Sequence, residues 1–354
     1  GKNLPGDKNS KEIFKNGRSK NSTENLEMNL REFKPFTKVS ALTLGGGGIG
    51  QVWGETTSEE AIQTVHSALD YGINHFDVAP MYGKGEAERV IGKSLDGKDK
   101  EGLLFTTKCQ LGTLPDTEVY DKLNNSLTHS LDNMKLEKAN LFLLHSQLIE
   151  DSYKLFKFDE MRAKSATTLS CFFNAVIPAF ERLKQEGKID HWGIGGLGQE
   201  EAIIKALAHS QPPSAVQCVV NPLNSAGAIG YVSETFNPKS ILSECQQRNI
   251  PILAIRAVQA GALTSSMDRS PHVCGFDQSD FQDFEKAKPF RDLANDWSEL
   301  PASLAHRYAL STAGVSSVIL GIKNRIELKE CLEAEAKGLL SDTEIKQIDD
   351  CLKN

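Results

Sequence analysis

From Lys38 onward, short continuous apolar runs alternate with longer stretches in which apolar residues recur every three or four positions. Runs rich in Val, Ile, Leu and Phe without polar alternation read as strands buried on both faces, as parallel sheets contain. They fall near Val39–Leu44, His75–Ala79, Leu103–Cys109, Asn140–His145, His191–Gly196, Ala215–Asn221, Pro251–Ala257 and Ser317–Ile322. The stretches between them carry helix signals. Thr57-Ser58-Glu59-Glu60 supplies a hydroxyl cap and an acidic first turn, with Ile62, Val65 and Leu69 following on one face. Asp116-Thr117-Glu118 precedes Leu123, Leu127 and Leu131 at helical spacing. Further helices are expected over about 173–186, 199–209, 239–248, 301–311 and 324–337, and Ser341-Asp342-Thr343-Glu344 has a capping-box pattern for a terminal one.

Eight strand–helix pairs in series predict a closed (β/α)8 TIM barrel, a single domain over residues 35–354. In such a barrel, function sits on the loops after the strand C-termini. Two of these loops are long, one from Ser146 to about Cys171 after strand 4, the other from Leu263 to about Arg291 after strand 7. Both are expected to shape a substrate pocket. Residues 1–34, rich in Lys, Asn, Ser and Glu and without the apolar h-region of a secretory signal, are expected to form a disordered extension, native or artificial.

Composition narrows the function classes. With 354 residues, 39% of them hydrophobic, the chain can bury one large core. A net charge of -7 argues against a nucleic-acid surface, which needs a basic footprint. No run of eighteen apolar residues is present to span a membrane. The 7 cysteines, without a CxxC pair, suit free thiols in a reducing, cytoplasmic setting better than a disulfide frame or a metal site. The expected partner is a small molecule, and oligomeric state is not legible.

Candidate chemistry collects at three successive strand ends. Asp77 and Tyr82 follow the second run, Lys108 closes the third and His145 closes the fourth. Reducing a carbonyl needs a hydride on carbon and a proton on oxygen. A phenol, with a pKa of about 10, gives up its proton reluctantly. A neighbouring ammonium favours the phenolate, and a carboxylate keeps that ammonium charged when buried. Asp77, Lys108 and Tyr82 can therefore act as a chain, with His145 holding the carbonyl oxygen by hydrogen bond. Taken singly, each residue has an ordinary structural reading; all four on one barrel rim do not.

The stretch Gly72-Ile73-Asn74-His75-Phe76-Asp77-Val78-Ala79-Pro80-Met81-Tyr82-Gly83, with Glu86, Glu88 and Ile91-Gly92 after it, resembles the signature of the aldo-keto reductase family. The resemblance runs from about Phe36 to the C-terminus and includes the complete tetrad. It implies an oxidoreductase that moves hydride between a nicotinamide cofactor and aldehydes, ketones or sugars without a metal.

The same resemblance implies a cofactor site. Gln217 would hold the nicotinamide carboxamide. Gly195 and Gly196 stand where the family usually has Ser-Asn, so two side-chain contacts are missing. Ile255 stands where an aromatic commonly stacks on the nicotinamide, followed by Arg256. Ala257, Val258, Gly261 and Leu263 fit the loop whose backbone amides face the pyrophosphate. Gly321, Lys323 and Asn324, with Arg325 beside them, match the adenosine-phosphate site, at a helix N-terminus that favours anions. These cations imply NADP. Glu327 would repel a 2′-phosphate and favour NAD, which makes an NAD-dependent sugar or alcohol dehydrogenase the alternative. The missing carboxamide contacts also leave room for a cofactor-sensing scaffold with vestigial activity.

Other signals are weaker. Gly45-Gly46-Gly47-Gly48-Ile49-Gly50 resembles a dinucleotide fingerprint but lacks its βαβ setting, and is read as a loop that lets backbone approach cofactor and substrate. Trp53 is read as pocket-lining or packing, Trp192 as facing the helix layer, and Phe276, Phe281 and Phe284 as loop anchors or covers.

Overall fold

Eight parallel strands close on themselves in chain order: β1 Leu42–Gly45, β2 His75–Asp77, β3 Leu104–Cys109, β4 Ala139–Leu144, β5 Ile189–Gly195, β6 Val216–Val219, β7 Ile252–Ile255 and β8 Val315–Leu320. The computed structural model describes residues 28–154, 159–230 and 236–353. The expectation for residues 1–27, and part of the loop after β4, lie outside the described residues. A helix follows each strand: α1 Ser58–Asp70, α2 Glu86–Leu95, α3 Val119–Met134, α4 Ile177–Gln185, α5 Glu200–Leu207, α6 Pro238–Gln247, α7 Pro301–Leu310 and α8 Arg325–Ala336. The (β/α)8 reading holds.

Helix starts follow the local signals. Thr57 accepts from the Glu60 amide at α1, Asn324 from the Glu327 amide at α8, and Ser341 and Glu344 form the reciprocal capping box of the terminal helix Asp342–Cys351. Trp192 faces the helix layer as expected, stacked 5.3 Å from Phe180, with its indole N–H donated to Glu181 at 2.8 Å. Among the described residues no helix is long and apolar enough to cross a membrane.

The domain boundary needs correction. Val39–Ser40 is not part of β1; it pairs antiparallel with Leu30–Arg31, so packed structure includes residues assigned to the extension. The reason is the barrel floor. Leu104, Leu141 and Leu253 point into the closed end, and Phe33 and Phe36 cover them, their rings stacked 4.6 Å apart. Apolar surface at the open bottom of the barrel would otherwise meet water.

Above this floor lies a polar belt. Ser317 donates to Ser40 O, so its oxygen accepts from Thr43 Oγ1 at 2.6 Å. Thr43 in turn accepts from His75 Nδ1 at 2.8 Å, and His75 Nε2 accepts from Thr106 Oγ1 at 2.7 Å. One proton per bond thus fixes the imidazole tautomer. Burial, aided by the charge on Lys108, pulls His75 down to about 3, so it is neutral. Two residues further along their strands, Asp77 and Lys108 project to the same inner face.

The long segment after β7 also differs from expectation. Helices Gln278–Lys286 and Lys288–Asp296 occupy much of it. Ala287, Phe290 and Ala294 pack with Leu263, Leu304 and Tyr308 in a second apolar cluster, which gives the second of these helices a face to bury. After β4, Gln147–Ile149 and Ala166–Thr168 form a small parallel pair.

Candidate active site

Lys108 is 1% exposed and Asp77 2%, so the pair is sealed at the C-terminal end of β2 and β3. Lys108 Nζ lies 2.6 Å from Asp77 Oδ1, 3.1 Å from Val78 O and 3.1 Å from Tyr82 Oη. Its three N–H donors are therefore all used. Tyr82 accepts one of them, which leaves its own O–H to donate into the mouth. Gln217 donates from Nε2 to Asp77 Oδ2 at 2.5 Å, so both carboxylate oxygens are held. His145 leaves β4 with its amide bonded to Cys109 O at 2.8 Å, and its ring meets that of Tyr82 edge-on at 6.1 Å.

Burial works against the Lys108 ammonium, but attraction to Asp77 and to the Tyr82 oxygen outweighs it and holds its pKa above the ordinary value. Burial, reinforced by the Lys108 charge, pulls His145 down to about 3, so the imidazole is neutral and carries one N–H. A proton on a phenol backed by an ammonium, beside a neutral imidazole, can be passed to an oxygen that is gaining negative charge. All four predicted residues are thus brought together.

The family model for the aldo/keto reductase family matches residues 41–353. The chain belongs to that family. It is an oxidoreductase of the aldo/keto reductase kind. L-galactose dehydrogenase of Arabidopsis thaliana is 24% identical over 325 residues, covering 90% of this chain and 92% of that protein. The uncharacterized oxidoreductase YqkF of Bacillus subtilis is 25% identical over 323 residues, covering 88% and 93%. Among solved structures, the holo form of aldo-keto reductase AKR11C1 from Bacillus halodurans superposes with a TM-score of 0.69 at 20% identity, covering 92% of this chain and 97% of that one.

The mouth of this aldo/keto reductase has open space beside Gln217. A side chain added at Gly195 would meet nothing nearer than Leu144 O at 3.8 Å, and Gly195 pairs in register with Gln217. Ile255, partly exposed, ends β7 across from them. Gly196 has a different reason: a Cβ there would lie 2.9 Å from Gln217 O, which accepts the Gly196 amide at 2.8 Å. No side chain fits at 196 without a backbone shift.

The phosphate-side expectations fare unevenly. Gly261 and Leu263 donate their amides to Val258 O, at 3.2 and 3.1 Å, and the Leu263 side chain belongs to the second apolar cluster. Both amides serve the loop's own fold, not an open anion cradle. Ala257 is buried, while Arg256, at φ 56°, is paired with Asp280 at 3.1 Å. Burial lowers its pKa, with Asp280 offsetting part of the effect. Gln259 bonds both Asp280 and Asp283, and Asp283 accepts from Ser225, a buried network that sequence reasoning missed.

At the adenosine end, Lys323 is held by Glu327 at 2.6 Å and lies 3.5 Å from Asp268. Asn324 spends its side-chain oxygen on the Glu327 amide at 2.9 Å. Arg325 is gripped by Glu60 through Nε, Nη2 and its backbone amide, at 3.1, 2.9 and 3.1 Å. A carboxylate from α1 thus already occupies the helix N-terminus expected to take a phosphate. Only an acidic residue at the start of α1 hinted at this, and nothing in the chain order ties it to residue 325.

The glycine run is closely packed against the protein around it. Gly46–Ile49 is a buried helical turn. A Cβ on Gly46 would lie 2.9 Å from the Tyr82 ring, one on Gly47 2.6 Å from Trp53 Nε1, and one on Gly48 would overlap the Ile322 carbonyl. Trp53 also rests against Gly321, and the guanidinium of Arg256 sits 5.5 Å from its ring.

Proposed function

We propose that this protein reversibly reduces aldehydes or ketones to alcohols with a nicotinamide dinucleotide, Tyr82 acting as the general acid. The observation that carries this reading is the single Lys108 nitrogen bonded to both Asp77 and Tyr82 beside a neutral His145. When bound, NAD(P)H supplies the hydride. His145 donates its N–H to the carbonyl oxygen and orients it. Tyr82 gives its proton to that oxygen, and Lys108 stabilises the negative charge left behind. Asp77 keeps Lys108 cationic, with Gln217 fixing Asp77. In the alcohol-oxidising direction the Tyr82 oxygen takes the proton back. Gly195, Gln217 and Ile255 would hold the nicotinamide. Gly196 and Arg256, with Ala257, Val258, Gly261 and Leu263, would shape the loop beside the diphosphate. Gly321, Lys323, Asn324 and Glu327 would sit at the adenosine end.

Initial rates over a panel of aldehydes, ketones and sugars, with NADPH and NADH, test the reading. Turnover that disappears in Tyr82→Phe supports it; turnover that survives the change refutes it. A second reading, an NAD-dependent sugar or alcohol dehydrogenase, gains from the pairing of Lys323 with Glu327 and of Arg325 with Glu60. Both of these cations are thus already compensated, whereas Glu327 can accept from a ribose hydroxyl. The likeness to an L-galactose dehydrogenase agrees with that reading in kind. The seven free cysteine thiols suit a reducing compartment such as the cytoplasm.

A further inference from the structure

Glu88 is fully buried, at 0% exposure in the first turn of α2, and the proton-donating chain does not use it. Its Oε2 accepts from Thr107 Oγ1 at 2.8 Å, and its Oε1 faces Asn133 Nδ2 of α3 at 3.4 Å. Neither of these partners is charged. The start of a helix favours a carboxyl group, but full burial beside neutral groups disfavours it. An apolar side chain would fill the gap between α2 and β3 at lower cost. Stability alone does not account for the residue.

Its leverage lies in what flanks each end of the bond. Along β3, Thr107 faces the helix layer, and the next residue, Lys108, faces the barrel interior. On the other side, Ala87 precedes Glu88, and its amide donates to Tyr82 O at 3.2 Å. Gly83 O accepts from the Glu86 amide, also at 3.2 Å, so the backbone that carries the phenol is fastened to the start of α2. Gly83, Lys84 and Gly85, at φ 67°, 53° and 88°, are all left-handed, which keeps that connection tight. The Glu88–Thr107 bond therefore ties the element bearing Tyr82 to the strand bearing Lys108. We propose that Glu88 is a positioning residue, whose bond to Thr107 sets the register of α2 on β3 and so holds Tyr82 Oη 3.1 Å from Lys108 Nζ. Apolar packing has no preferred direction, whereas a hydrogen bond fixes distance and angle. The inference rests on the reading of Tyr82 as the proton donor with Lys108 behind it. A displacement of about 1 Å at such a pair can lower the rate about 100-fold.

Exchange of both partners for apolar groups of like shape makes the test, because it leaves neither the hydroxyl nor the carboxyl unpaired. Glu88→Met/Thr107→Val is expected to unfold near the wild-type temperature. With benzaldehyde and either NADPH or NADH, its kcat is expected to fall at least tenfold, with KM within about twofold. Tyrosinate absorbance, read as the difference between each protein and its Tyr82→Phe counterpart, needs no turnover. In the double variant that signal is expected at higher pH than in the wild type, since the phenolate has lost its cation. Glu88→Gln still accepts from Thr107, and is expected to keep the wild-type kcat and titration. Should the double variant fail to fold, the same two readings on Thr107→Val decide. An unmoved titration overturns the proposal whatever the kcat, and leaves Glu88 a packing anchor. Losses in Glu88→Gln as large as those in the double variant overturn it too. Turnover that survives Tyr82→Phe removes the parent reading, whereas Tyr82-dependent turnover with an unmoved titration removes only this inference.

Discussion

Gln217 donates to the Asp77 oxygen that Lys108 does not reach, at 2.5 Å and from the opposite side of the barrel mouth. The carboxylate is thereby clamped on both oxygens, by a cation on one and an amide on the other. A residue expected for the cofactor thus also sets the geometry of the proton-donating chain. Orientation that depends on two strands far apart in sequence, β2 and β6, makes the site a product of barrel closure.

Asp77→Asn should separate stability from chemistry. It leaves a buried ammonium without a counter-charge, a change worth about 3–5 kcal/mol of destabilisation. Adding Lys108→Met removes the orphaned charge, so the double variant should regain much of that loss in urea unfolding. Activity should not return, staying about 10²–10⁴-fold below wild type for want of the ammonium behind Tyr82. A double variant less stable than Asp77→Asn would contradict the view that the ion pair is costly to break and cheap to replace.

Cofactor choice should respond to two carboxylates outside the tetrad. Glu327→Gln removes the nearer of the two carboxylates on Lys323, and Glu60→Gln frees both Arg325 and the first amide of α8. Each change should improve NADPH affinity relative to NADH by about tenfold, equal to about 1.4 kcal/mol. Titrations followed by nicotinamide fluorescence measure it. An unchanged ratio in both variants would mean that the phosphate site lies elsewhere.

The barrel was legible because its strands are unbroken apolar runs and its helices carry caps, both local properties. Asp77, Tyr82, Lys108 and His145 were legible because barrel geometry gathers strand ends on one rim. Phe33 was not: its role is set by the hole it fills, which exists only once β3, β4 and β7 are closed. Glu60 at Arg325 and Gln217 at Asp77 were equally hidden, being side-chain pairings between distant segments. The carboxylate partners of Lys323 and Arg325 were hidden for the same reason, since charge read along the chain does not reveal its partner across space.

Gly48→Ala sets two rules against each other. In a helical turn alanine is favoured over glycine by about 1 kcal/mol. Here the added methyl would overlap the Ile322 carbonyl, a backbone group that cannot swing aside. The clash should win, with a net loss of about 1–3 kcal/mol and a lowered Tm. Because the same turn supports the Tyr82 ring through Gly46, kcat should fall as well. A stabilised Gly48→Ala variant would show that this turn has slack.

Two imidazoles away from the reacting groups predict a stability profile in acid. His75 is held to about 3 and His306 to about 4, both by burial, against an ordinary value of about 6.5. Between those limits the unfolded chain binds protons that the folded protein refuses, so stability falls as pH drops below about 6.5. Each histidine should remove about 1.4 kcal/mol per pH unit over its window, with no contribution above about pH 7. Urea unfolding at pH 7, 6 and 5 stays clear of most carboxylate titration and reads the slope. With His145, also held to about 3, three such groups act together, so His306→Gln should cut the slope by about a third. His75 is the harder site to change, because its two ring nitrogens join Thr43 to Thr106 and so tie β1 to β3 through β2. A wild-type stability that is flat across this range would mean that both rings can be protonated in place, and that the belt beneath Asp77 and Lys108 admits water.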